Sequence, residues 1–144
     1  MIRAHFGSMA GWTSVAEIDA YRLAVELRDQ VGRLVESGRA AKDFNFRDQI
    51  RDSTSSVTRN LAEGFDRYGH GEFAYFANVA KGSLGETIDA LKEGREKRYF
   101  TDEDFNRLNS LAESARKATT GLLRYLLSSK APGERTAKPK RHRR

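Results

Sequence analysis

Apolar residues recur along the chain at intervals of three and four, the period of a helix. The first stripe is Ala20, Ala24, Leu27, Val31 and Leu34. Ser14 with Glu17 fits a capping box that would start it, and Gly38 would stop it. A loop is expected next, with Phe44 and Phe46 in it or at its edge. Asn45 with Asp48 can cap a second helix, whose stripe is Ile50, Thr54, Val57, Leu61, Phe65 and Tyr68. Gly69 and Gly71 mark the following turn. A third helix carries Phe73, Phe76, Ala80, Leu84, Ile88 and Leu91 and ends near Tyr99. Thr101 with Asp104 is another capping box. The acids Asp102, Glu103 and Asp104 lie at one end of the helix it opens, and Arg116, Lys117 and Arg124 lie toward the other, as a helix dipole favours. Its stripe is Leu108, Leu111, Ala115, Thr119, Leu122 and Leu126. Four helices of roughly 20–27 residues, about 30–40 Å each, with short connections predict an all-α, antiparallel up-down-up-down four-helix bundle.

Composition agrees and narrows the function classes. A chain of 144 residues suits one domain. It has no cysteine, which excludes a disulfide framework, a zinc ribbon and a thiol nucleophile. No run of eighteen apolar residues spans a membrane, and no apolar signal segment opens the chain, so an intracellular, cytoplasmic protein is expected. Both prolines, Pro132 and Pro139, fall after the last stripe.

Charge divides the chain further. Of the +6 net charge, residues 131–144 carry six bases against one acid, while residues 1–130 are nearly balanced with 20 bases and 19 acids. Three regions follow: a leader 1–13, partly disordered or cloning-derived (Gly7-Ser8-Met9 resembles a cloning remnant); a bundle 14–130; and a basic tail 131–144, expected to stay unfolded. The tail can attract nucleic acid non-specifically, or simply be solvated.

The second helix carries another row beside its apolar one: Ser53, Ser56, Asn60, Glu63 and Arg67. The third answers with Ser83 and Glu86, and with Gly82 and Gly85 in its interior. Each interior glycine costs about 1 kcal/mol relative to alanine, which suggests close approach by another backbone. A hairpin turning near Gly69 would set Ser56 opposite Ser83 and Ser53 opposite Glu86. Ser56, Asn60, Glu63, Ser83 and Glu86 thus form a polar seam between helices or subunits, favoured over a reactive site.

No catalytic constellation accompanies it. His5, His70 and His142 lie in the leader, a turn and the tail, without a helical metal-binding pair. Gly82-Ser83-Leu84-Gly85 superficially matches a nucleophile elbow but sits within a helix. Glu63 and Glu86 could form a carboxylate pair, yet the Glu-x-x-His spacing of a di-metal bundle is missing. The chain is therefore read as non-enzymatic, without metal or other cofactor.

Asp48-Gln49-Ile50-Arg51, Ser56-Val57-Thr58-Arg59-Asn60-Leu61-Ala62-Glu63-Gly64, Arg67, Glu72-Phe73, Phe76, Ala80, Gly82-Ser83-Leu84 and Glu86 form a distinctive set. With Arg98-Tyr99-Phe100 and the helix after it, they resemble the four-helix bundle proteins encoded in intervening sequences of bacterial large-subunit ribosomal RNA genes. The resemblance covers roughly residues 15–128. It implies an all-helical bundle that often assembles as a homopentamer. It also implies kinship with accessory proteins of diversity-generating retroelements, which bind nucleic acid and a reverse transcriptase. The family often has two adjacent bases after the Gln; here Arg51 is followed by Asp52.

The leading functional expectation is a non-catalytic, homo-oligomeric accessory module that binds RNA, or DNA, through backbone phosphates. Candidate contacts are Arg51, Arg59 and Arg67, then Arg95, Lys97 and Arg98, and in the tail Lys138, Lys140 and Arg141. In an up-down bundle the tail leaves from the end opposite the 95–98 cluster. The alternative is a scaffold for a protein partner such as a reverse transcriptase, with Trp12, Phe44, Phe46 and Tyr125 as exposed aromatics. A helix-turn-helix reader built on residues 54–61 ranks lower, because the flanking helices are too long.

Overall fold

Four amphipathic stripes this long bury themselves most completely when each faces the other three, and the computed structural model shows that arrangement. The structure describes residues 11–67 and 69–128. A 3₁₀ turn, Val15–Glu17, precedes α1 (Asp19–Leu34). The short α2 (Gly38–Lys42) leads into α3 (Phe44–Phe65), followed by α4 (His70–Glu96) and α5 (Asp102–Leu127). No strand occurs among the described residues. Helix α1 lies against α3 and α5, and α4 against the same two, which closes a four-cornered bundle. Cross-helix pairs show the antiparallel sense: Ser53 meets Thr87 and Ser56 meets Ser83. Likewise Trp12 meets Tyr125 and Gln30 meets Arg107.

The predicted stripes are the core. Ala24, Leu27, Val31, Ile50, Val57, Leu61, Phe73, Leu84, Leu91 and Leu108 are all fully buried. Phe65, Phe76 and Leu111 flank it half-buried, and Val35 rather than Leu34 closes the first stripe inside. Tyr68 lies outside the described residues.

The helix starts differ from their sequence signals. Ser14 makes no side-chain cap. The Glu17 carboxylate instead accepts from Thr13, amide at 2.9 Å and hydroxyl at 2.7 Å, and that grip forms the 3₁₀ turn before α1. Asn45 and Asp48 do not cap the second long helix. Asp43 does, its Oδ1 accepting from the Phe46 amide at 3.2 Å, so Phe44 and Phe46 lie in the first turn of α3 rather than in a loop. Much of the expected loop is α2. The Thr101 cap stands as read, with its hydroxyl accepting from the Asp104 amide at 3.0 Å. Trp12 also moves from leader to body: it rests edge-on against Tyr125, ring centroids 6.0 Å apart. Residues 1–10 and 129–144 lie outside the described residues.

The α3–α4 seam is polar, but shifted from the expected set. Ser56 and Ser83 share a hydrogen bond of 2.8 Å, and Asn60 Nδ2 donates to the Ser56 carbonyl at 2.8 Å and to its hydroxyl at 3.1 Å. Ser53 bonds the Thr87 hydroxyl at 2.8 Å, one residue past the predicted Glu86. Glu86 is exposed, because one residue is a 100° step around a helix and carries it from seam to solvent. Glu63 also lies outside the seam, paired with Arg67 at 2.7 Å on the surface.

Interior glycines part company with their expected roles as well. A Cβ on Gly82 or Gly85 would meet nothing within 4 Å, so no backbone of the same chain explains them. The close approaches are at Gly64, where a Cβ would stand 2.6 Å from the Phe73 ring and 2.9 Å from Phe76 Cβ, and at Gly94, against the buried Phe100 ring. Gly64→Ala and Gly94→Ala should each destabilise the fold by about 1–3 kcal/mol through overpacking. Gly32→Ala on α1, where a Cβ meets nothing within 4 Å, should stabilise it by up to about 1 kcal/mol. Thermal melts of the three variants measure the contrast.

Candidate nucleic-acid interface

At one end of the bundle, α2 and the first turn of α3 meet the α4–α5 turn. Asp43 joins them. While one of its oxygens caps α3, Oδ2 accepts from the Tyr99 hydroxyl at 2.6 Å and stands 3.6 Å from Lys97 Nζ. Lys97 also pairs with Glu93 at 2.8 Å. The Arg39 guanidinium lies over the Tyr99 ring, 5.2 Å from its centroid, and donates to the Arg98 carbonyl at 3.2 Å. Arg39, Lys42, Asp43 and Tyr99 line a shallow hollow of about 240 Å³.

The α4–α5 turn fixes the remaining cations. Helix α4 ends with the Arg98 amide bonded to the Arg95 carbonyl (3.0 Å) and the Tyr99 amide to the Gly94 carbonyl (2.8 Å). This is a Schellman motif, whose left-handed residue is ordinarily glycine. Here Arg98 holds that position, at φ 61°. A side chain in this conformation costs about 1–2 kcal/mol. Arg95 lies 3.9 Å above the Phe105 ring, and Arg47 lies 4.8 Å above the ring of Phe44, which is 64% exposed.

Of the acids at this end, Asp43 and Glu93 are engaged as above, Asp48 pairs with Arg47 at 3.0 Å and Asp104 with Arg107 at 2.8 Å, whereas Glu96, Asp102 and Glu103 are exposed with no ion pair among the described residues. Arg39, Lys42, Arg95 and Arg98 have no carboxylate partner among the described residues. The unpaired cations stand beside an exposed aromatic ring, with the free acids of the first turn of α5 at the same end. Such a surface suits phosphate contact and base stacking.

The nine cations expected at a nucleic-acid surface fall in three places. Arg95, Lys97 and Arg98 share this end. Arg51 is exposed one turn beyond Arg47, with no ion pair among the described residues. Arg59 and Arg67 lie progressively farther along α3, the first 3.9 Å from Asp52, the second bound to Glu63 and stacked 4.9 Å over Phe76. Lys138, Lys140 and Arg141 lie outside the described residues. Sequence reasoning missed Arg39, Lys42 and Arg47. Their one signal was spacing around a suspected loop, which looked solvated until α2 folded it beside Tyr99. Of the four aromatics proposed for a protein partner, Phe46 is buried, Trp12 and Tyr125 pack together, and Phe44 stays exposed.

Among the described residues, no cluster of three or more His, Asp or Glu side chains could hold a metal ion. In the same range no helix is long and apolar enough to cross a membrane.

Hydrogen bonds set the ionisation at this end. The Tyr99 hydroxyl, then the Phe46 amide, hold the Asp43 carboxyl below its usual 3.8. Asp43 in turn raises the Tyr99 phenol, and Glu93 raises the Lys97 ammonium. A carboxyl with a depressed folded-state pKa stabilises the fold above its unfolded value and loses that contribution as pH falls through the folded one. Tyr99→Phe should therefore lower Tm by a constant amount from about pH 5 to pH 9. The gap should shrink below about pH 4 as Asp43 protonates in both proteins. Melts across pH read the difference directly.

The comparisons with known proteins agree with this architecture. A protein of unknown function from the S23 ribosomal protein family of Bacteroides thetaiotaomicron has a crystal structure that superposes with a TM-score of 0.66. The match covers 72% of this chain and 97% of that one at 19% identity, and at that identity it shows the fold alone. No curated protein matches the chain. The family described as 23S rRNA-intervening sequence protein matches residues 16–121, which take in α1, α3, α4, most of α5 and the turn that holds Arg98. The chain belongs to the 23S rRNA-intervening sequence protein family.

Proposed function

We propose that this protein is a non-catalytic, homo-oligomeric accessory module that binds RNA by its phosphate backbone through the bundle end of α2 and the α4–α5 turn. The observation that carries the reading is Arg98. A cation stands at a helix terminus where glycine would be more stable, at the same end as three further cations without carboxylate partners among the described residues and an exposed Phe44. Backbone strain retained at an exposed charge favours a ligand over stability as its reason. The family's description, which ties its members to 23S ribosomal RNA genes, supports RNA over DNA as the ligand.

Self-association has its own support. Tyr75, Val79, Gly82 and Glu86 follow 4-3-4 spacing and form one outward stripe of α4, with Tyr75 65% and Val79 37% exposed. The glycines that nothing within the chain explains lie on or beside that stripe. A second subunit packed against α4 would account for both. The resemblance suggests a pentamer. A second reading, a scaffold for a protein such as a reverse transcriptase, would use the exposed Phe44 and the same stripe.

Arg98→Gly separates the readings. It should raise stability by about 1 kcal/mol by relieving the left-handed side chain. It should also weaken RNA binding about fivefold, the equivalent of about 1 kcal/mol for a single phosphate interaction. Thermal melting and fluorescence anisotropy measure the two. A more stable protein that binds RNA as well as before would remove this end from the interface and favour the scaffold. Gly82→Glu should lower the native mass, read by sedimentation, while leaving the helical circular dichroism intact.

A further inference from the structure

We propose a second phosphate-binding site for nucleic acid on the outward face of the C-terminal half of α5, built from Lys117, Thr120 and Arg124. The inference rests on the nucleic-acid reading above and places a contact where that reading has none.

The three side chains follow 3-4 spacing, so they share one face. With Glu113 and Arg116 they line a shallow hollow of about 470 Å³. The one acid there is already engaged: Arg116 Nη2 donates to both Glu113 oxygens, at 2.9 and 3.2 Å. Lys117 and Arg124 have no carboxylate partner among the described residues, and the Thr120 hydroxyl between them can donate to a phosphate oxygen. Two turns of helix separate the cations by about 10 Å, the axial rise of roughly three phosphates along one strand of a duplex.

Two ordinary explanations fall short. Compensation of the helix dipole fades within the last turn, so it covers Arg124 but not Lys117, which stands nearly three turns before the end of α5 at Leu127. Neither Lys117 nor Arg124 has an ion pair among the described residues. The occupant is an anion, and the sequence beyond α5 says which class. Residues 131–144 hold six bases and one acid. That segment and the α5 face would repel each other and attract the same extended polyanion. The site also lies far from the Arg98 end. Tyr125 in the last turn of α5 sits 6.1 Å from His70 at the start of α4, the opposite end of the bundle.

The test uses the full chain and a short fluorescein-labelled RNA duplex, with anisotropy titrated from about 50 to 200 mM salt. K117E/R124E should bind about tenfold more weakly, and its plot of log affinity against log salt should be shallower by about 2, one unit for each phosphate no longer neutralised. Its melting curve should match wild type, because neither side chain has a protein partner to lose. The control R22E/R33E changes the net charge equally on α1 and should bind better than K117E/R124E. Equal loss in the control would reduce the effect to net charge and overturn the site. Loss of affinity in R39E/R98E with K117E/R124E unchanged would overturn the α5 site and leave the earlier reading standing. A wild-type chain that binds no RNA would overturn both.

Discussion

Asp43 ends α2 with its backbone N–H, which donates to the Ala40 carbonyl, while its carboxylate caps α3 through the Phe46 amide and anchors the α4–α5 turn through the Tyr99 hydroxyl. One side chain thereby joins segments more than fifty residues apart in sequence. Burial of four apolar stripes would form a bundle without it, but would not decide how that end of the bundle is finished. With Tyr99 held, Arg39 has a ring to lie on and the Arg98 carbonyl to bond. With α3 capped at Asp43, Phe44 and Arg47 occupy its first turn and stack on the outside. The negative charge of Asp43 is directed at an amide, a phenol and Lys97, which leaves Arg39 without a carboxylate partner among the described residues.

Glycine marks where the structure answers to packing and where it answers to something else. Gly64 and Gly94 lie against Phe73 and Phe100, where even a methyl group would collide. Gly82 and Gly85 have open space and carry the ordinary penalty of glycine in a helix. The same contrast appears at Arg98, where a residue with a side chain takes a conformation suited to glycine. In both cases local stability is forgone on the surface rather than in the core, and the surface is where ligands and further subunits meet the protein.

The bundle body is close to neutral overall, so attraction to a polyanion depends on how charges are paired rather than on their number. Arg67, Arg107 and Arg116 spend their charge on acids three or four residues away along the same helix. Exposed pairs of that kind contribute little to stability and still quench the local field. Among the described residues, Arg39, Lys42, Arg95 and Arg98 at one end and Lys117 and Arg124 on α5 are not spent in this way.

Fold class, helix number, most core positions and the Thr101 cap were legible in the sequence, because helical period and cap chemistry are local properties spanning four or fewer residues. The family was legible too, in the Ser56–Gly64 segment and Gly82-Ser83. Tertiary structure alone decided that Asp43 caps α3 and that Glu17 grips Thr13 before α1, since several side chains near each start could make such a bond. It decided the seam register, where a one-residue shift exchanged Glu86 for Thr87 opposite Ser53 and made that contact a pair of hydroxyls. It also decided the glycine roles and the gathering of Arg39, Lys42 and Arg47 beside Arg95 and Arg98. Those depend on which helix faces approach and at what rotation, and a rotation of 100° per residue magnifies an error of one position into a change from buried to exposed.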